Sequence, residues 1–168
     1  NGYYEDYVSL IQDIDLIKDN IHLKGDAALR VRVEYAKEGT GVQFETTDLD
    51  GNPVKSEELF AGHPVTMINL WATWCPHCVG ELPELANIHY QLEGIGCGVV
   101  GLLDDSYDPE AVEEAIGIIQ DAGVTFPVVK MTPEMAEIFT NNGLPMSFFV
   151  NRNGVMVGTP VEGAQVDK

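Results

Sequence analysis

Two cysteines, Cys75 and Cys78 in the stretch WATWCPHC, are the residues of this chain best suited to chemistry. Disulfide exchange needs an attacking thiolate, a second thiol close enough to resolve the mixed disulfide, and access for a partner. Cysteines three positions apart at the start of a helix meet all three needs. The first occupies the exposed helix tip, where free N–H groups and the helix dipole stabilise a thiolate, and the second lies one turn inward and is shielded. Between them, Pro76 suits a first helical turn. No lysine or arginine lies between Lys55 and Lys130, so thiolate stabilisation must come from the helix terminus and from His77. The pattern predicts a redox dithiol that needs no cofactor beyond its own Cys75–Cys78 disulfide. Haem attachment requires histidine directly after the second cysteine, where this chain has Val79. A structural zinc site requires four ligands, and the sequence offers no second CxxC and no HxxxH. No metal is therefore expected. A peroxidase with one peroxidatic cysteine would not need Cys78.

The elements that must position this pair are legible on both sides. Pro64 precedes VTMINLW, an apolar run that reads as a buried strand, and a helix follows from about Pro76. Upstream, GVQFETTDLDGNPV reads as two short strands around the turn signal Asp50-Gly51. Downstream, CGVVGLL (97–103) is a second buried strand, and a helix starts after Asp108 and stops at Gly123. FPVVK is a strand, TPEMAEIFTNNG a helix with Pro133 in its first turn, SFFVN a strand, and NRNG (151–154) a hairpin turn into VMVG. Strands that alternate with helices and end in a hairpin predict an α/β domain with helices flanking a central mixed sheet. Ahead of it, Tyr3, Tyr7, Leu10, Ile14, Ile17 and Ile21 recur at steps of four and three, the stripe of an amphipathic helix. Residues 27–38 fit either a strand, with Leu29, Val31, Val33 and Tyr35 alternating with charges, or a helix. A boundary near Gly39-Thr40-Gly41 divides an N-terminal extension (1–40) from the main domain (41–168).

Composition sets outer limits. A chain of 168 residues buries roughly 70% of its unfolded surface and needs no disulfide staples. Its 3 cysteines are too few for a stapled scaffold, which makes CxxC reactive or metal-bound rather than structural. With 27 acidic against 9 basic residues and a formal charge of -18, binding to nucleic acid or to an acidic membrane through a basic face is excluded. No apolar run approaches the roughly 20 residues of a membrane span. A chain that opens on Asn1-Gly2 rather than Met reads as a fragment, from which a signal or anchor has been removed. Trp71 and Cys97 read as core, Cys97 as an inert buried thiol, and His22, His63 and His89 lack the spacing of a site.

The stretch FETTDLDGNPVKSEELFAGHPVTMINLWATWCPHCVGELPEL resembles the TlpA/ResA-like branch of the thioredoxin superfamily, a redoxin group akin to AhpC/TSA. The likeness continues through VVGLLDD, GVTFPVV and GLPMSFFVNRNGVMVG and spans about residues 42–160. Residues 104–126 resemble the helix-bearing insertion that separates this branch from plain thioredoxin. The resemblance implies a thioredoxin-like fold and an extracytoplasmic thiol-disulfide oxidoreductase. It implies protein thiols and disulfides as partners, apocytochrome c among them, and a membrane electron donor.

Carried onto this sequence, the resemblance makes Cys75 the attacking thiol and Cys78 the resolving one. Pro145 matches the cis-proline that faces the dithiol, and Leu144 before it offers backbone groups to an extended substrate. Glu81 matches an acid used near the resolving cysteine; the lesser reading, from the bare sequence, is a solvated first-turn residue. Plain thioredoxins place a buried acid six residues before the first cysteine, where this chain has Asn69. Met146 stands where thioredoxins commonly carry threonine, a change expected to alter substrate contacts. Trp74, Pro76 and His77 are expected to tune the pair. The Pro-His dipeptide resembles that of DsbA, an oxidant, while the surrounding sequence resembles reductants, so direction stays open. No helical pattern follows Val157, so the closing helix of the fold is expected to be short or absent. The rival reading is a thioredoxin-fold binding or chaperone module with a structural or regulatory dithiol.

Overall fold

The computed structural model describes residues 14–17, 20–23 and 38–164. In chain order the strands are β1 (Ile14–Ile17), β2 (Asn20–Leu23), β3 (Glu45–Thr47), β4 (Pro53–Lys55), β5 (Val65–Trp71), β6 (Gly98–Leu103), β7 (Val128–Lys130), β8 (Met146–Asn151) and β9 (Val161–Glu162). The helices are α1 (Ser56–Ala61), α2 (Pro76–Gly94), α3 (Pro109–Asp121) and α4 (Pro133–Ile138). Five strands make the main sheet in the order β7-β6-β5-β8-β9. Strand β5 lies at its centre, parallel to β6 and antiparallel to β8. The fold is thioredoxin-like: a mixed sheet with helices packed on it.

Alternation along β5 divides the core in two. Val65, Met67 and Trp71 join one apolar cluster with Leu82, Leu85 and Ile88 of α2. Ile68 and Leu70 join the other, with Phe60 of α1 and Met135 of α4. Each of these fully buried Leu or Ile side chains contributes roughly 1.5–3 kcal/mol. The period-2 rule puts Asn69 on the same sheet face as Met67 and Trp71, where it is only 1% exposed. A polar side chain is thus inserted into the layer beneath α2.

The chain enters this domain along the NRNG hairpin: Val42 N–H donates to Gly154 O and Met156 N–H to Thr40 O. Gly154 is required there. Its φ is +72°, and an added Cβ would stand 2.9 Å from the carbonyl oxygen of Val42. Helix α3 is capped by Asp108, whose side chain accepts from Glu110 N–H, and it packs Val112, Ile116 and Ile119 onto the α2-side core.

The N-terminal expectation changes. The N-terminal amphipathic helix does not extend through Ile14–Ile21. Ile14–Ile17 and Asn20–Leu23 pair as an antiparallel hairpin, with Ile17 opposite Asn20. The apolar positions 14, 16, 21 and 23 also satisfy a period of two. β-Branched isoleucines favour a strand, and the pairing of Ile17 with Asn20, three apart in sequence, fits a tight hairpin. Residues 1–13, like the ambiguous segment 27–37, lie outside the described residues. At the other end, the chain after Val157 supplies a strand, β9, which pairs Glu162 with Met146 and Val161 with Ser147.

Candidate active site

Parallel strands β5 and β6 both end at one rim of the sheet, with Trp71 opposite Leu103. Ligands of open α/β sheets characteristically bind beyond such strand ends. The chain leaves β5 at Trp71, turns through Ala72–Trp74, and starts α2 at Pro76. A hydrogen bond from Cys75 N–H to Ala72 O, 3.2 Å, closes the turn. Cys75 is the N-cap of α2, and its Sγ accepts from Cys78 N–H at 3.2 Å. The cap role leaves the sulfur facing the unpaired amides of the first turn, the arrangement that stabilises negative charge.

Cys75 and Cys78 are joined as a disulfide, with Cα atoms 5.2 Å apart. Cys75 is 4% exposed and Cys78 1%, so the expected contrast between an open and a shielded sulfur is small in this disulfide state. Both side chains belong to the apolar cluster beneath α2. Between them Pro76 and His77 are exposed, and Trp74 presents a 66% exposed indole beside the pair.

Glu81 is not the solvated first-turn residue that its sequence position also allowed. It is 1% exposed, and its Oε2 accepts from Asn69 Nδ2 at 3.4 Å. The same amide donates to Ser147 Oγ at 3.3 Å. Cys78 and Glu81 are three apart on one helix, so their side chains are neighbours on one face. A buried carboxyl thus lies one turn behind the inner cysteine, held by the side chain that replaces the acid of plain thioredoxins.

The Leu144–Pro145 peptide bond is cis. Met146 pairs with Leu70, which places Leu144 and Pro145 at the same rim of the sheet as the dithiol. Leu144 is half-buried against both core layers. Met146 corrects an expectation: it is 1% exposed and lies in the cluster on the opposite sheet face with Phe148 and Val150. Alternation along β8 sends its side chain away from the α2 layer, so it fills core rather than meeting a substrate. Its neighbour Ser147 points to the α2 side instead.

Sequence reasoning missed Asp104 and Asp105, which follow β6 directly. Asp105 is 4% exposed, and its Oδ2 accepts from both Thr73 N–H (3.0 Å) and Thr73 Oγ–H (2.6 Å). Burial, and then the charge of Asp105, push the Asp104 carboxyl above its ordinary range. Two acids directly after an apolar parallel strand were the available signal. Cys97 is 5% exposed, and burial raises its thiol pKa; it takes no part in the disulfide. His63 bonds to Gly96 O through Nδ1 at 3.1 Å, and His89 stands edge-on to Phe126. Both have structural surroundings. Among the described residues, no group of three or more His, Cys, Asp or Glu side chains is arranged to hold a metal ion.

A mixed sheet with a CxxC disulfide capping the helix after its central strand defines a thioredoxin-like redoxin. The family profile of AhpC/TSA matches residues 40–158, and the chain belongs to the AhpC/TSA family. It is similar to the thiol-disulfide oxidoreductase ResA of Bacillus thuringiensis (strain Al Hakam), 27% identical over 135 residues that cover 80% of this chain and 73% of the relative. The crystal structure of a thioredoxin-family thiol:disulfide interchange protein from Chlorobium tepidum TLS superposes with a TM-score of 0.62. It is 26% identical, covering 75% of this chain and 86% of that one. The thioredoxin domain of a thiol-disulfide oxidoreductase from Bacteroides vulgatus, 19% identical, shares the fold at a TM-score of 0.63, over 77% of this chain and 91% of its own.

Proposed function

We propose that this chain is a thiol-disulfide oxidoreductase that exchanges disulfides with protein substrates through Cys75 and Cys78. The observation that carries the reading is the disulfide at the α2 N-terminus, backed by the buried Glu81–Asn69–Ser147 cluster. In the reducing direction the Cys75 thiolate attacks one sulfur of a substrate disulfide, and the other sulfur leaves with the electron pair. Cys78 passes its proton to Glu81 and attacks the Cys75 sulfur. The second substrate thiol is released, and the Cys75–Cys78 disulfide is restored. Two electrons pass to the substrate, whose two sulfurs leave as thiolates and take one proton from Glu81 and one from solvent; an external dithiol must supply two electrons for the next cycle.

Leu144 and Pro145 serve as the edge against which an extended substrate segment lies, and Trp74, Pro76 and His77 surround the exchanging sulfur. The family likeness supports an extracytoplasmic setting, with a protein such as apocytochrome c as substrate and a membrane protein as electron donor. Among the described residues no helix is long and apolar enough to cross a membrane.

Insulin-disulfide reduction by the wild-type chain and by Cys75→Ser tests the reading. Turnover in the wild type and its loss in the variant are expected. Binding of unfolded protein with no turnover would instead favour a chaperone-like module.

A further inference from the structure

Asp105 holds a carboxyl group in an expensive place. Its Oδ2 accepts two hydrogen bonds from Thr73, while its Oδ1 is buried with no hydrogen-bond partner among the described residues. An unsatisfied buried oxygen lowers stability, so the residue calls for a role that offsets it. Capping α3 is not that role, since Asp108 does so. Its own backbone is firmly set. Asp104 N–H donates to Trp71 O at 2.8 Å, Asp108 N–H donates to Asp105 O at 3.1 Å, and Ser106 Oγ accepts from Met131 N–H at 2.8 Å. The side chain therefore reaches from a fixed point, anchored to the ends of β5 and β7, onto the loop that carries Cys75.

That loop is pinned at its ends by the buried Trp71, Ala72 and Cys75, and between them Thr73 is held by Asp105. From Trp71 to Pro76 it crosses from a buried strand to a helix cap, and Trp74 stands out in solvent. Thr73 is two residues before Cys75, and the Ala72–Cys75 turn encloses it. We infer that Asp105 is a positioning residue for disulfide exchange: by clamping Thr73 it holds the Ala72–Cys75 turn and thereby aims the Cys75 sulfur at the incoming disulfide. Exchange is an in-line displacement, so small errors in the attacking sulfur's position carry large rate costs. The inference rests on the proposed exchange reaction at Cys75, and it adds a residue that never touches the substrate.

The experiment compares wild type with Asp105→Ala, Asp105→Asn and Thr73→Val. Asparagine keeps one oxygen able to accept both Thr73 bonds and leaves its NH2 where Oδ1 already lacks a partner; valine removes only the hydroxyl bond. The readouts are the insulin-reduction rate, the alkylation rate of Cys75 in the reduced protein, and hydrogen exchange of the Thr73 amide. Asp105→Ala is expected to slow insulin reduction roughly tenfold or more and to expose the Thr73 amide to exchange. Asp105→Asn should restore rate and amide protection to within about threefold, and Thr73→Val should fall between, each following the number of bonds kept. Equal rates in wild type and Asp105→Ala would overturn the inference, as would an asparagine variant as slow as alanine, which would make charge rather than position the cause. Should Asp105→Ala fail to fold, Thr73→Val decides: a slower rate supports the clamp and an unchanged rate sinks it. A wild type without Cys75-dependent turnover refutes the exchange reading itself, while the Thr73 amide still reports on the clamp.

Discussion

Replacing Glu81 by glutamine removes a proton acceptor while keeping the side chain's size. The carboxyl is 1% exposed and hydrogen-bonded to Asn69, and glutamine can retain that bond, so the fold should survive. Resolution of the mixed disulfide requires Cys78 as thiolate. Without a base, the thiol must rely on its own ionisation, and an ordinary cysteine near pKa 8.5 is only about 3% ionised at pH 7. The resolving step of Glu81→Gln should therefore slow by up to roughly 30-fold at pH 7, narrowing to about twofold near pH 8.5. Between those limits the variant's rate should rise about tenfold per pH unit, whereas wild type should be flatter. Stopped-flow tryptophan fluorescence of a preformed mixed disulfide at Cys75, from pH 5 to 9, measures this directly. Equal rates across that range would refute the proton-transfer role and leave Glu81 a structural acid.

Asp104, whose folded pKa is raised by burial and by Asp105, holds its proton more tightly folded than unfolded. Its contribution is fully present below the ordinary value of 3.8 and is lost as pH rises through the folded value. Asp104→Asn should accordingly be more stable than wild type at pH 7 in urea melts, with the gain absent below that ordinary value. His77→Ala should make the pair more reducing; a glutathione titration that leaves the midpoint unmoved removes His77 from tuning. Cys97, its thiol pKa raised by burial, should resist iodoacetamide in the reduced native protein and react only on unfolding. Rapid native labelling would contradict its place in the core.

Much of the fold was legible because the relevant signals are local. VTMINLW is apolar at all but two positions and had to be buried on both faces. Asp108-Pro109 and Thr132-Pro133 announce helix starts that the structure places there. CxxC next to such a strand and helix exposed the dithiol. The misreadings, and the one strand that was not expected, have a different cause. Ile14 and Ile21 belong to the helical stripe but also, with Leu16 and Leu23, to the period-2 pairs of a hairpin, so spacing alone did not exclude a hairpin. β9 is two residues long and exists through its pairing with β8, which leaves no trace in its own sequence. Met146 looked like a substrate contact because of its place after Pro145, but strand alternation turns its side chain to the opposite core. Asp105 and Ser147 carry no signal alone. Their meaning comes from Thr73 and Asn69, 32 and 78 residues distant in the chain.

The central claim, that Cys75 exchanges disulfides with a protein substrate and Cys78 resolves the product, is tested most directly by trapping. Reduced Cys78→Ser protein is mixed with a disulfide-bonded protein substrate, and the adduct is mapped by non-reducing peptide mass spectrometry. The account requires a stable mixed disulfide through Cys75, formed by Cys78→Ser, and little or none with Cys75→Ser. An adduct that accumulates through Cys78, or no adduct with either variant, would contradict it.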